Sequence, residues 1–279
     1  MRKLITPLFY FLLVLLGNSS CSGQENVDVN KTTSESSLVS TQSTKHSNSI
    51  ESLLMKYYQD IDTIKNNIIV FKNGKSMRFD DNIQKNGIEL LDNPDVEDQF
   101  RFDYNLSKNA SSNTDAGRIR NETFFKFIYG ASAAEVQKNL GTILWCPSLV
   151  NQRIQVTKKC GVADSLQKVS FALDKHPEWK KYLTSVGGTF NWRKISGTSR
   201  LSAHSFGMTI DINIAHSNYW QWDCSCIDER KSLQYKNSIP LELVEIFERY
   251  GFIWGGKWLH YDTMHFEFRP EIIDYIRNK

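Results

Sequence analysis

Charge of one sign is what this chain most lacks. Over 279 residues, 34 Lys and Arg stand against 31 Asp and Glu, a formal net charge of +3. Loss of an N-terminal leader carrying Arg2 and Lys3 would bring it to about +1 by the same count. There is no basic patch, so nucleic acid is not an expected partner. The apolar run Leu8 to Leu16 is too short to span a bilayer as a permanent helix. No internal repeat is present, which excludes a repeat architecture. Residues 22–49 have hardly an aromatic or a periodic apolar side chain and are rich in Ser, Thr, Asn and Gln. Such a stretch cannot bury enough surface to offset its ordering entropy and is expected to be a flexible tether. Cysteine is scarce too. Cys224-Ser225-Cys226 lacks the two-residue gap of common zinc knuckles and has no second pair at matching spacing.

What is there begins with a leader. Arg2 and Lys3, the apolar run and Gly17-Asn18-Ser19-Ser20 read as a signal peptide over residues 1–20. Cys21 follows directly, as at a bacterial lipoprotein cleavage site, which implies lipidation of Cys21 and a membrane anchor. Asn18 departs from the usual aliphatic residue of that site, so plain secretion remains the alternative. An exported chain admits disulfides. The two strands expected between Cys146 and Cys160 are compatible with a bond joining that pair.

From residue 50 the composition becomes globular, with an N-terminal extension over 50–160 and a core over 161–279. The spacing predicts a helix over 51–66, a hairpin over 67–81 around Asn73-Gly74, and an acidic helix-like stretch over 87–102 broken at Asn93-Pro94. Residues 103–117 read as a polar loop. Short helices are expected at 121–129 and 131–140, strands at 141–145 and 154–158, and a helix at 162–175 with Leu166, Val169, Phe171 and Leu173 toward the core. Pro240 and Gly251 bracket a helix over 241–250, and 270–276 closes the chain as another.

Two stretches carry chemistry: Ser202 to Asp211, and Asp262 to Glu267. Ile210, Ile212 and Ile214 alternate with Asp211 and Asn213, and Met264, Phe266 and Phe268 alternate with His265 and Glu267. Each alternation predicts a strand that buries its apolar residues and shows its polar ones on the opposite face. Two adjacent strands would bring those polar faces together. His204 is expected on the loop entering the first strand, before Gly207. Three ligands drawn from imidazole and carboxylate, with a further carboxylate to take a proton from water, make the donor set of a hydrolytic zinc site. His204, Asp211 and His265 are the candidate ligands for one zinc ion and Asp262 the candidate base.

The pattern Ser-x-His-x-x-Gly-x-x-x-Asp, followed by Trp-x-x-x-Asp-x-x-His-Phe-Glu, spans Ser202 to Asp211 and Trp258 to Glu267. It resembles the zinc peptidases of the D-alanyl-D-alanine carboxypeptidase (VanY-like) family, which includes L-alanyl-D-glutamate endopeptidases. The resemblance covers roughly residues 186–270. It implies an α+β fold with a small, mostly antiparallel sheet carrying the zinc, flanked by helices, and hydrolysis of peptidoglycan stem peptides. Asp262, where some carboxypeptidases have Glu, is closer to the endopeptidase branch. Arg193 matches the position from which family members bind the substrate carbonyl or carboxylate, a task suited to a permanent, forked charge. Ser202, Trp258 and His260 are candidate substrate-binding residues, and Tyr219, Trp220 and Trp222 are candidates for a groove wall. A monomer in the bacterial envelope is expected. The alternative from another class is a non-catalytic, zinc-stabilised cell-wall binding lipoprotein, and retention of Asp262 argues against it, because binding zinc does not require a base.

Overall fold

A computed structural model describes residues 50–107 and 113–279 of the chain. Cys21, the leader over 1–20 and the tether over 21–49 lie outside the described residues. The first element is a helix over residues 50–57 (α1), and the predicted continuation of that helix to 66 is replaced by a strand. Strands β1 (Ile61–Lys65), β2 (Ile68–Phe71) and β3 (Ser76–Arg78) form an antiparallel meander in that order. Asn66 and Asn67 explain the correction. Both have positive φ, 51° and 63°, and they link the paired Lys65 and Ile68 in a two-residue turn. Asparagine tolerates that left-handed backbone better than most residues, and such a turn matches the twist of a hairpin.

Next come α2 (Gly87–Asp92), a 3-10 turn at Glu97–Phe100, α3 (Glu122–Tyr129) and α4 (Ala133–Gln137). Strands β4 (Leu140–Trp145) and β5 (Gln152–Thr157) make a second antiparallel sheet, followed by α5 (Val162–Leu173) and α6 (Lys180–Leu183). In α5, Val162, Leu166, Val169 and Leu173 are buried at helical spacing. Phe171, expected among them, is 53% exposed, because two positions from Val169 a helix has turned most of the way to its opposite face.

The bond between Cys146 and Cys160 that the sequence allows is not formed. Six residue pairs, from Leu140 with Thr157 to Trp145 with Gln152, hold the β4–β5 hairpin. Cys146 follows the turn end and Cys160 the open end, roughly 20 Å apart at 3.3 Å per residue, far beyond disulfide reach. Both are free thiols, and the bond is instead between Cys224 and Cys226.

The third sheet carries the site. Its strands are β6 (Thr209–Asp211), β7 (Phe252–Trp254) and β8 (His265–Phe268), in the order β6-β8-β7, all antiparallel. Asp211 lies opposite His265 and Thr209 opposite Glu267, so all four side chains share one face. On the other face, Phe266 stacks on Phe247 of α8 (Leu241–Arg249) at 3.7 Å between ring centres. The predicted strand to residue 214 ends early. The Asn213 side chain accepts a hydrogen bond from the Ala215 N–H, starting a 3-10 turn at Ile214–His216 that leaves Ile214 43% exposed. Helix α7 (Trp220–Cys224) lies between the site strands in sequence, and α9 (Pro270–Arg277) closes the chain.

The architecture is α+β. One hydrophobic core runs from Ile50 and Tyr58 through Phe124, Trp145 and Leu166 to Phe247, Phe266 and Tyr275, so the extension and the residues after 160 share it. No helix among the described residues is long and apolar enough to cross a membrane.

Candidate metal centre

His204 owes its position to the short turn Ala203–Phe206. Ser202 caps the turn, its Oγ accepting from the His204 N–H at 3.4 Å. Gly207 ends it at φ 66°, where a Cβ would come within 3.0 Å of Leu140 and 3.3 Å of the Thr157 nitrogen. A left-handed residue in so tight a space has to be glycine. The His204 ring is then fixed from behind by its Nδ1, 3.0 Å from the Thr189 carbonyl. A carbonyl only accepts, so Nδ1 carries a proton and Nε2 is the nitrogen left to face an ion.

That Nε2 lies 3.1 Å from Oδ2 of Asp211, while Oδ1 of the same carboxylate lies 3.0 Å from Nδ1 of His265. The outer nitrogen of His265, Nε2, is 3.4 Å from Oε2 of the fully buried Glu267. One ligating atom from each of His204, Asp211 and His265 lies within 4.8 Å of the other two. Two imidazoles and a carboxylate are a zinc donor set. Each imidazole also has its far nitrogen held by an acceptor, the arrangement that orients metal-binding histidines. The residues fit the ion.

The charges around this centre are strongly perturbed. Burial favours the neutral acid at Asp211, but His204 and His265 outweigh it and hold the carboxyl well below the usual range. Burial opposes charge on His265, yet hydrogen bonds to Asp211 and Glu267 lift its pKa to about 9. Burial, then the negative Asp211, push Asp262 up to about 7, against the pull of His265 and Arg193. Glu267 is held low despite its burial, chiefly by the positive Arg120.

A cleft of about 760 Å3 opens over the centre. His204, Asp211, Asp262 and His265 line it together, and Arg193, Ser202, Trp258 and His260 contribute to the same walls. Arg193 is exposed on the rim, its NH1 making only a 3.5 Å bond to the Lys194 carbonyl. Ser202 is occupied as the cap. Trp258 is buried with its ring 5.5 Å from that of His265. His260 differs most from expectation: Nδ1 is 2.7 Å from Asp115 and Nε2 is 2.9 Å from the Glu229 carbonyl, so both nitrogens are engaged within the protein. Tyr219, Trp220 and Trp222 all line the cleft, Trp220 almost fully buried and Trp222 57% exposed.

Sequence reasoning missed Thr189, Arg120, Arg118 and Asp115. The alternation that exposed His265 already placed Glu267 on its face, but nothing local pointed to Arg120, which grips Glu267 from 147 positions away.

Residues 196–268 match the family model described as D-alanyl-D-alanine carboxypeptidase. The matched segment contains His204, Asp211, Asp262, His265 and Glu267, and it begins after Arg193 and Arg120. This similarity supports a peptidase. No curated protein and no solved structure matches the chain.

Proposed function

We propose that this protein is a zinc-dependent peptidase that hydrolyses an amide bond in peptidoglycan stem peptides, of the D,D-carboxypeptidase or L-alanyl-D-glutamate endopeptidase type. The observation that carries the reading is the convergence of His204, Asp211 and His265, with both imidazoles held from behind and Asp262 in the same cleft. When bound there, zinc supplies a Lewis acid that polarises a carbonyl and acidifies water. Asp262 takes the proton from the attacking water and passes it to the leaving amine. Its Oδ1 is buried and meets no hydrogen-bond donor among the described residues, and an unpaired buried acceptor of this kind is free to receive that proton. Arg193, on the rim with little else to bind, steadies the developing negative charge on the carbonyl oxygen. Thr189 and Glu267 keep the two imidazoles in register.

The reading extends to location. An exported, lipid-anchored chain held through Cys21, with residues 22–49 as a tether, brings such a cleft to the cell wall from a membrane surface. The test is to incubate purified muropeptides with the zinc-loaded protein and weigh the products by mass spectrometry. Loss of a terminal D-alanine identifies the carboxypeptidase, and cleavage after L-alanine the endopeptidase. Muropeptides left intact by protein of full zinc content would overturn the proposal.

A further inference from the structure

The segment over residues 113–121 reads in the sequence as the end of a polar loop and the start of a helix. In the structure it is strapped to the residues around 259–269, and Arg118, Arg120 and Asn121 line the cleft. The Thr114 carbonyl accepts from the Leu259 N–H at 2.8 Å, Asp115 accepts from the His260 N–H at 2.9 Å, and the Gly117 carbonyl accepts from Arg269 at 3.4 Å. Arg118 grips Glu229 with two bonds, at 2.7 and 3.0 Å. Arg120 comes closest to the centre. Its Nε lies 2.9 and 2.8 Å from the two oxygens of Glu267, and its NH2 is 2.6 Å from Oε2.

Oε2 is also the oxygen that faces Nε2 of His265. The guanidinium further covers the Trp258 ring at 5.6 Å, and that ring packs against His265 at 5.5 Å. Arg120 therefore touches two of the groups that pack against the His265 imidazole, Glu267 and Trp258, on the side away from Asp211 Oδ1 at its Nδ1. We infer that Arg120, from the N-terminal extension, is a positioning residue for the metal centre, fixing His265 through Glu267. The inference rests on His204, Asp211 and His265 holding the ion. Partners of a ligating histidine typically contribute about 10- to 100-fold to metal affinity when removed, and a fully buried carboxylate keeps a fixed orientation only while its charge is matched. Arg269 reaches the other oxygen, Oε1, at a longer 3.3 Å, so it does not replace the grip on Oε2.

The experiment measures zinc affinity of the full chain by competition with a chromophoric chelator, for wild type, Arg120→Met, Arg120→Lys, Glu267→Gln and the Arg120→Met/Glu267→Gln double variant. Far-UV circular dichroism checks folding, and the visible spectrum of the cobalt-loaded protein reports ligand geometry. Arg120→Met is expected to bind zinc about 10- to 100-fold more weakly, with altered cobalt bands. The double variant should bind no more weakly than Glu267→Gln alone, since residues acting through one contact are not additive. If Arg120→Met fails to fold, Arg120→Lys is decisive, because it keeps the charge and loses the fork; affinity and cobalt spectrum equal to wild type overturn the inference. So does wild-type affinity in a folded Arg120→Met, or multiplication of the two losses in the double variant. A wild type that binds no zinc overturns the ligand assignment and this inference with it, whereas a zinc-binding wild type indifferent to Arg120 removes the inference alone.

Discussion

Asp262 and His260 sit two positions apart and have opposite fates. His260 is tied at both nitrogens, to Asp115 and to the Glu229 carbonyl, whereas Oδ1 of Asp262 has no donor among the described residues. Residue type and spacing make either a candidate base, and only the distant partners Asp115 and Glu229 separate them. Asp262→Asn is nearly isosteric and accepts no proton. It should retain zinc and lose about two to four orders of magnitude in turnover. Stopped-time assays on muropeptides with parallel metal analysis measure both, and near-normal hydrolysis by this variant would move the proton-accepting role elsewhere.

Among the elements, the site strands are legible because one local alternation places candidate ligands and core residues on opposite faces, as Asp211 and Ile210 or His265 and Phe266 show. β1 is not legible: Ile61 and Ile64 sit at helical spacing, and the paired turn at Asn66-Asn67 decides otherwise. The 3-10 turn at Glu97–Phe100 carries a consequence for stability. Buried Lys85 is ion-paired with Asp81, Asp95 and Asp98, while Glu97 lies near Asp80, Asp95 and Asp98 with Arg101 as the weaker, opposing charge. Burial first, then Asp80, Asp95 and Asp98, push the Glu97 pKa up to about 7. The folded chain thus keeps a proton that the unfolded chain releases at the ordinary value near 4.5. Stability contributed by this group falls as pH rises from about 5 to about 7 and is level above that. Glu97→Gln should therefore gain in Tm relative to wild type across that interval, with a constant gain above it. A Tm difference that does not change with pH would contradict the assignment.

At the scale of the molecule, the extension and the residues that resemble peptidases share a core and a site. Phe124 and Phe125 of α3 are buried in the same core as Phe206 beside His204, with 5.6 Å between the rings of Phe125 and Phe206. Arg120 enters the centre from just before that helix. Sequence motifs report what is close in the chain, so Ser202 to Asp211 and Trp258 to Glu267 carried the candidate ligands while the strap over 113–121 stayed hidden among polar residues. The whole account depends on His204, Asp211 and His265 meeting at one ion. Elemental analysis of the purified full chain, beside His204→Ala and His265→Ala, tests this most directly: the account predicts one zinc per wild-type chain and loss of that zinc in both variants, and full zinc occupancy in both variants would contradict it.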